Sequence, residues 1–140
     1  MKKVLSETVE INSDQRHISE ILLSVIPLLK KDPSVIDVQQ VESNEYIILR
    51  RGVFNRQDTL FVMESENKIK YRIDGYLLKY AIVWEFNQLT SESINLTQIL
   101  YVEENIEIMP VFFFCNTILS KQFNAFLSNV KLLSETFSKP

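Results

Sequence analysis

The sequence predicts an α+β fold: a curved antiparallel sheet of about seven strands wrapped around one long carboxy-terminal helix, with two short helices between the first and second strands. Three observations carry this expectation. Residues 36–103 alternate apolar and polar positions with period two, broken by short turn-like separators. Residues 12–33 hold the start and stop signals of two short helices. Residues 110–140 carry Phe112, Leu119, Phe123, Phe126, Val130, Leu133 and Phe137 at spacings of three, four or seven, the repeat of a single helical stripe.

The elements follow in order. Residues 5–11 alternate weakly and read as a first strand. Asn12-Ser13-Asp14 then offers short side-chain oxygens to the free N–H groups of a helix start, and Ile18, Ile21 and Leu22 share one face of that helix. Ser24 is placed to cap a second helix, in which Pro27 falls within the first turn, where a missing N–H costs nothing. Lys30-Lys31 suit the negative end of that helix, and Asp32-Pro33 stops it.

Strands are expected at residues 36–42, 46–51, 59–64, 68–74, 79–87 and 93–103. Their separators are too short for parallel crossovers, so the sheet is a meander with the first strand added at one edge. In the fourth of these strands the charges of Lys68, Lys70, Arg72 and Asp74 face water, which turns Ile69, Tyr71 and Ile73 inward. Tyr80, Ile82, Trp84 and Phe86 share one side of the next strand, as do Ile94, Leu96, Gln98, Leu100 and Val102 of the last. Residues 59–64 are apolar on both parities and leave the face open. Pro110 fits the first turn of the long helix.

At 140 residues the chain reads as one domain, residues 1–140, long enough to bury a core without disulfides or metal. A net charge of −3 argues against nucleic-acid binding, which draws on a basic surplus. The single cysteine, Cys115, cannot close an intramolecular disulfide. The amino terminus lacks the apolar run of a signal peptide, and no stretch approaches the ~20 apolar residues of a membrane span. A cytoplasmic protein without stable membrane insertion is therefore expected. Neither glycine, Gly52 nor Gly75, sits in a phosphate-binding motif.

The succession of Glu7-Thr8-Val9-Glu10-Ile11, the capped Asn12-Ser13-Asp14 turn, two short helices, about six antiparallel strands and the helix of residues 110–140 resembles the helix-grip fold of the START/SRPBCC superfamily. That superfamily includes birch-pollen-allergen-like proteins, polyketide cyclases and aromatases, and lipid-transfer domains. The resemblance implies an apolar cavity between sheet and helix. Its mouth would lie among residues 52–58, residues 74–78, the short helices and the start of the long helix. The turn Ser43-Asn44 lacks the glycine-rich loop of the plant allergen-like branch, and the loops are compact, so a small prokaryotic member is implied.

With that resemblance, the expected function is binding, and by extension transport, of a small hydrophobic ligand such as a lipid, isoprenoid or aromatic compound. Ile69, Tyr71, Ile73, Tyr80, Ile82, Trp84, Leu96, Gln98 and Leu100 would line the sheet side, and Phe112, Ile118, Leu119, Phe123, Phe126 and Leu127 the helix side. One alternative is a cyclase- or aromatase-type enzyme, which would need Tyr71, Tyr80, Gln98 or an inward Arg50 or Arg51 to polarise a carbonyl. Another is a protein-interaction module with a filled core. No catalytic constellation stands out, and neither a metal nor a cofactor is expected. His17, the one histidine, reads as surface, and Cys115 as structural. Arg50, Arg51, Arg56, Lys68, Lys70, Arg72 and Lys79 are expected to form a basic outer face of the sheet.

Overall fold

The structure, a computed structural model, describes residues 1–51, 57–75, 78–103 and 109–136, and in the long helix the side chains of residue 121 and residues 123–136. Its elements are β1 (Lys2–Ile11), α1 (Gln15–Leu23), α2 (Val25–Leu29), β2 (Val35–Glu42), β3 (Glu45–Arg50), β4 (Gln57–Ser65), β5 (Lys68–Gly75), β6 (Lys79–Gln88), β7 (Ile94–Val102) and α3 (Met109–Thr136). The seven strands form one antiparallel sheet in the order β1-β7-β6-β5-β4-β3-β2, the expected meander with β1 added beside β7. β1 begins three residues earlier than its alternation suggests. Backbone pairing of Lys2 with Val102 extends the ladder, with a register shift between Lys3 and Leu5.

Asp14 is the N-cap of α1: its Oδ1 accepts from the His17 N–H at 2.8 Å. Ile18 and Leu22 of that helix are fully buried, and Ile21 on the same face is half-buried. Ser24 stands at the junction of α1 and α2, but its side chain does not cap α2 as expected. Its hydroxyl donates backward to the Glu20 carbonyl at 2.8 Å, a second bond to an oxygen that already accepts the Ser24 N–H.

The concave face of the sheet holds Tyr46, Ile48, Leu60, Val62, Ile69, Tyr71, Ile73, Trp84, Leu96 and Leu100, all buried. β4 resolves its two apolar parities by register. Leu60 and Val62 stand opposite Ile73 and Tyr71 on the inner face. Phe61, on the outer face, is covered by its cross-strand partner Arg72, whose guanidinium carbon lies 4.5 Å from the ring centroid. α3 lays Phe123, Leu127 and Val130 into the palm of the sheet, all buried and spaced three or four apart. Phe112, Leu119 and Phe137 of the stripe, with Ile118 and Cys115, lie outside the described side chains.

Candidate functional site

Between sheet and α3 lies a cavity open to the centres of water-sized molecules over about 60 Å³. β3 contributes Ile48 and Arg50, β4 Leu60, β5 Tyr71 and Ile73, β6 Tyr80 and Ile82, and β7 Leu100. Leu29 of α2, Asp32 just beyond it, and Phe123 and Phe126 of α3 complete the lining. The walls follow from the period-two pattern: every sheet residue on them belongs to the inward parity of its strand.

One end of the cavity is polar. The Arg50 Nε–H donates to Asp58 Oδ2 at 2.7 Å, and its Nη1 donates to Asp32 Oδ2 at 3.2 Å and to Ser34 Oγ at 3.1 Å. The third nitrogen, Nη2, takes no part in these bonds. The Asp58 side chain is 1% exposed and that of Arg50 15%, so the pair lies in a medium where charge is costly to isolate. Burial opposes the guanidinium's charge, but Tyr80, Asp58 and Asp32 together outweigh it and hold the proton more firmly than usual. This corrects the expected outer basic face. Arg50 is in phase with Ile48 and points inward, where two carboxylates compensate it, while Lys68 and Arg72 do face out, beside Glu85 and Asp74. Arg56 lies outside the described residues.

Tyr80 stands beside this cluster on the cavity wall. Burial, above all, pushes its phenol up to about 12; Arg50 pulls it down, and Asp58 and Asp32 push it up. At neutral pH it is a neutral hydroxyl, able to donate a hydrogen bond and unsuited to act as a base. Tyr71 is different. Its hydroxyl donates to the Leu22 carbonyl at the end of α1, and burial pushes its pKa well above the usual phenol range.

Gln98 is also consumed internally. Its Oε1 accepts from Trp84 Nε1 at 2.8 Å and its Nε2 donates to the Phe123 carbonyl at 2.9 Å. The structure thus places the expected lining residues in three groups. Tyr71, Ile73, Tyr80, Ile82, Leu100, Phe123 and Phe126 border the cavity. Ile69, Trp84, Leu96, Gln98 and Leu127 are packed in the core away from it, each at most 2% exposed. Phe112, Ile118 and Leu119 lie outside the described side chains, as do residues 52–56 and 76–77 of the expected mouth.

Sequence reasoning did not single out Leu29, Asp32, Ile48 or Leu60, and it placed Asp58 only in the expected mouth, residues 52–58. Ile48 and Arg50 continue one parity from Tyr46, a signal that an arginine in phase with apolar neighbours could have supplied. Among the described residues no group of three His, Cys, Asp or Glu side chains is placed to hold a metal ion. Nor is any described helix long and apolar enough to cross a membrane.

No protein-family model and no curated protein matches the sequence. Solved structures match its fold. Norcoclaurine synthase from Thalictrum flavum, in complex with dopamine and hydroxybenzaldehyde, superposes with a TM-score of 0.75 at 11% identity, over 99% of this chain and 91% of that one. A START superfamily protein from Mycobacterium smegmatis gives 0.67 at 16% identity, over 94% and 99%. The di-domain ARO/CYC StfQ of the steffimycin biosynthetic pathway gives 0.73 at 13% identity, over 94% of this chain and 50% of that one. At such identities the likeness is one of fold, and that fold is the helix-grip expected from the order of elements.

Proposed function

We propose, from the helix-grip fold that this chain shares with START and cyclase structures, that it binds a small apolar molecule in the cavity between its sheet and α3. Arg50 Nη2 and the Tyr80 hydroxyl would receive one oxygen of the ligand, and a carrier role would follow from the same site. The observation that supports this reading is the asymmetry of the cavity: Leu, Ile and aromatic side chains make up most of its walls, and Asp32, Arg50 and Tyr80 bring polar groups to one end. Such a site gains affinity at ~25 cal/mol per Å² of apolar surface removed from water, while a few polar groups fix orientation. The reading takes residues 1–140 as a single domain.

A second reading, a cyclase-like enzyme, draws on the same pair, since two donors converging on one oxygen would polarise a carbonyl. Tyr71 and Gln98 lend it nothing, because both are engaged within the protein. Titration with a panel of apolar ketones and their hydrocarbon counterparts, followed through Trp84 fluorescence, tests the proposal. Ketones should bind more tightly than the matched hydrocarbons, and Tyr80→Phe should erase most of that preference. A carrier leaves the ketones unchanged after incubation, whereas an enzyme converts one of them and loses turnover in Tyr80→Phe. Absence of binding by every ketone and hydrocarbon would refute both readings.

A further inference from the structure

A second depression lies just outside the cavity, between the turn that follows α2 and the outer side of α3. Asp32 and Pro33 bound it on one side, and Lys121, Ala125, Phe126 and Asn129 on the other. It offers about 230 Å³, against about 60 Å³ inside. Asp32 and Phe126 border both spaces and so form part of the partition between them.

These two side chains are held differently. Asp32 is fixed by Arg50 through one oxygen and by the Ser34 N–H at 2.9 Å through the other. Phe126 packs against the core without a hydrogen bond. It stacks on Trp84 with centroids 5.5 Å apart and planes at 28°, and it meets Tyr71 edge-on at 6.5 Å. It is also only partly buried, unlike Phe123 and Leu127 beside it on the helix. Of the two, the partly exposed ring without a polar tether is the one that can change rotamer by giving up packing alone, a motion far faster than helix displacement.

We propose that Phe126 is the gate between the two spaces and that the binding site spans both of them. The inference rests on the inner cavity being a ligand site, and it adds the shape of the ligand. Ligand pockets run to roughly 300–1,000 Å³. The inner space alone falls far short of that range, whereas the joined space comes close to its lower end. The ligand is therefore an elongated apolar molecule. Its oxygen-bearing end reaches Arg50 and Tyr80, and its other end passes Phe126 into the depression flanked by Ala125 and Asn129.

The test uses the full chain, 8-anilinonaphthalene-1-sulfonate as the apolar probe, and Trp84, the single tryptophan, as the reporter. Ala125→Phe fills the outer depression from an exposed position and should slow probe association several-fold, with Trp84 emission unchanged. Phe126→Ala should speed association and make Trp84, fully buried in the wild type, quenchable by acrylamide. Phe126→Leu, which keeps most of the apolar bulk, serves the same purpose where the alanine variant unfolds. Association rates indifferent to Ala125→Phe, together with unchanged quenching in the Phe126 variants, would overturn the gate while leaving the inner site intact. A wild-type protein showing no energy transfer from Trp84 to the probe counts instead against the inner site. That outcome also overturns a site spanning both spaces, whereas indifferent association rates with unchanged quenching overturn the gate alone.

Discussion

Trp84 and Gln98 face each other across β6 and β7, and the Trp84 indole N–H donates to the Gln98 side-chain oxygen at 2.8 Å. Gln98 then passes the connection to α3 through the Phe123 carbonyl. The fixed end of the grip is thus a hydrogen-bonded relay from the sheet into the helix, carried by a residue that is itself fully buried. Gln98→Leu keeps the volume and strands the buried indole N–H, while the Phe123 carbonyl, in mid-helix, keeps its own helical partner. A stranded buried donor costs ~1–3 kcal/mol. Urea unfolding should show a loss in that range or above; a change within the ~0.5 kcal/mol of an ordinary surface substitution contradicts the relay.

The two inward tyrosines separate by role. Tyr71→Phe removes the tie to Leu22 and should lower stability by ~0.5–1.5 kcal/mol while ligand affinity holds. Tyr80→Phe should do the reverse, since its hydroxyl makes none of the bonds that fix Tyr71 or Gln98. Paired unfolding and binding measurements on both variants check this, and a reversal of the two effects contradicts the site.

Alkaline pH should destabilise the protein through the same two residues. In the unfolded chain a phenol ionises near 10, whereas Tyr80 in the fold holds its proton to about 12 and Tyr71 also ionises late. Between those values the unfolded state carries fewer protons than the folded one, so stability falls as pH rises. The contribution is whole below pH 10 and is lost through about 12. Spectrophotometric titration should show tyrosinate absorbance appearing late for Tyr80 and Tyr71, and Tyr80→Phe should remove one late step. A titration identical in the wild type and in both Tyr→Phe variants, apart from amplitude, sinks the prediction.

Arg50→Met leaves Asp58, 1% exposed, without its nearest cation. Breaking a buried pair from one side costs ~3–5 kcal/mol, far more than the pair itself contributes. Thermal unfolding of Arg50→Met and of the double variant Arg50→Met/Asp58→Leu should show the double variant recovering part of the loss. Equal or greater destabilisation in the double variant contradicts the compensation.

Asp14→Ala should cost ~1 kcal/mol by freeing the N–H of His17 at the start of α1. Hydrogen exchange confined to the first turn of α1 should accelerate. Unaltered protection there contradicts the cap.

Much of the fold was legible because the chain states its periods openly. The charges of β5 alternate without interruption, the separators are short, and the α3 stripe keeps to one face, so the strand order and the inward set Tyr71, Ile73, Tyr80, Ile82, Leu100, Phe123 and Phe126 follow from pattern. The polar end was not legible, for a physical reason. Arg50, Asp58 and Asp32 are brought together by the turn after α2 and the β3–β4 register, where Ile48 pairs with Asp58, and no local spacing announces that meeting. The rule that charges face water assigns Arg50 to the outer face, and its inward placement entered only with the enzyme alternative. Likewise the Trp84–Gln98 bond depends on the β6–β7 register, which a lone sequence leaves open. Leu60 was hidden by the apolar residues on both parities of β4, a degeneracy that only cross-strand pairing resolves.

Native mass spectrometry of the freshly purified protein tests the central claim most directly. The wild type should carry an added small-molecule mass that disappears on denaturation, and Ile82→Phe, which fills the cavity from the β6 wall, should arrive without it. A wild-type mass that is bare in every preparation, unchanged after incubation with apolar ketones, would contradict the claim that this grip closes around a ligand.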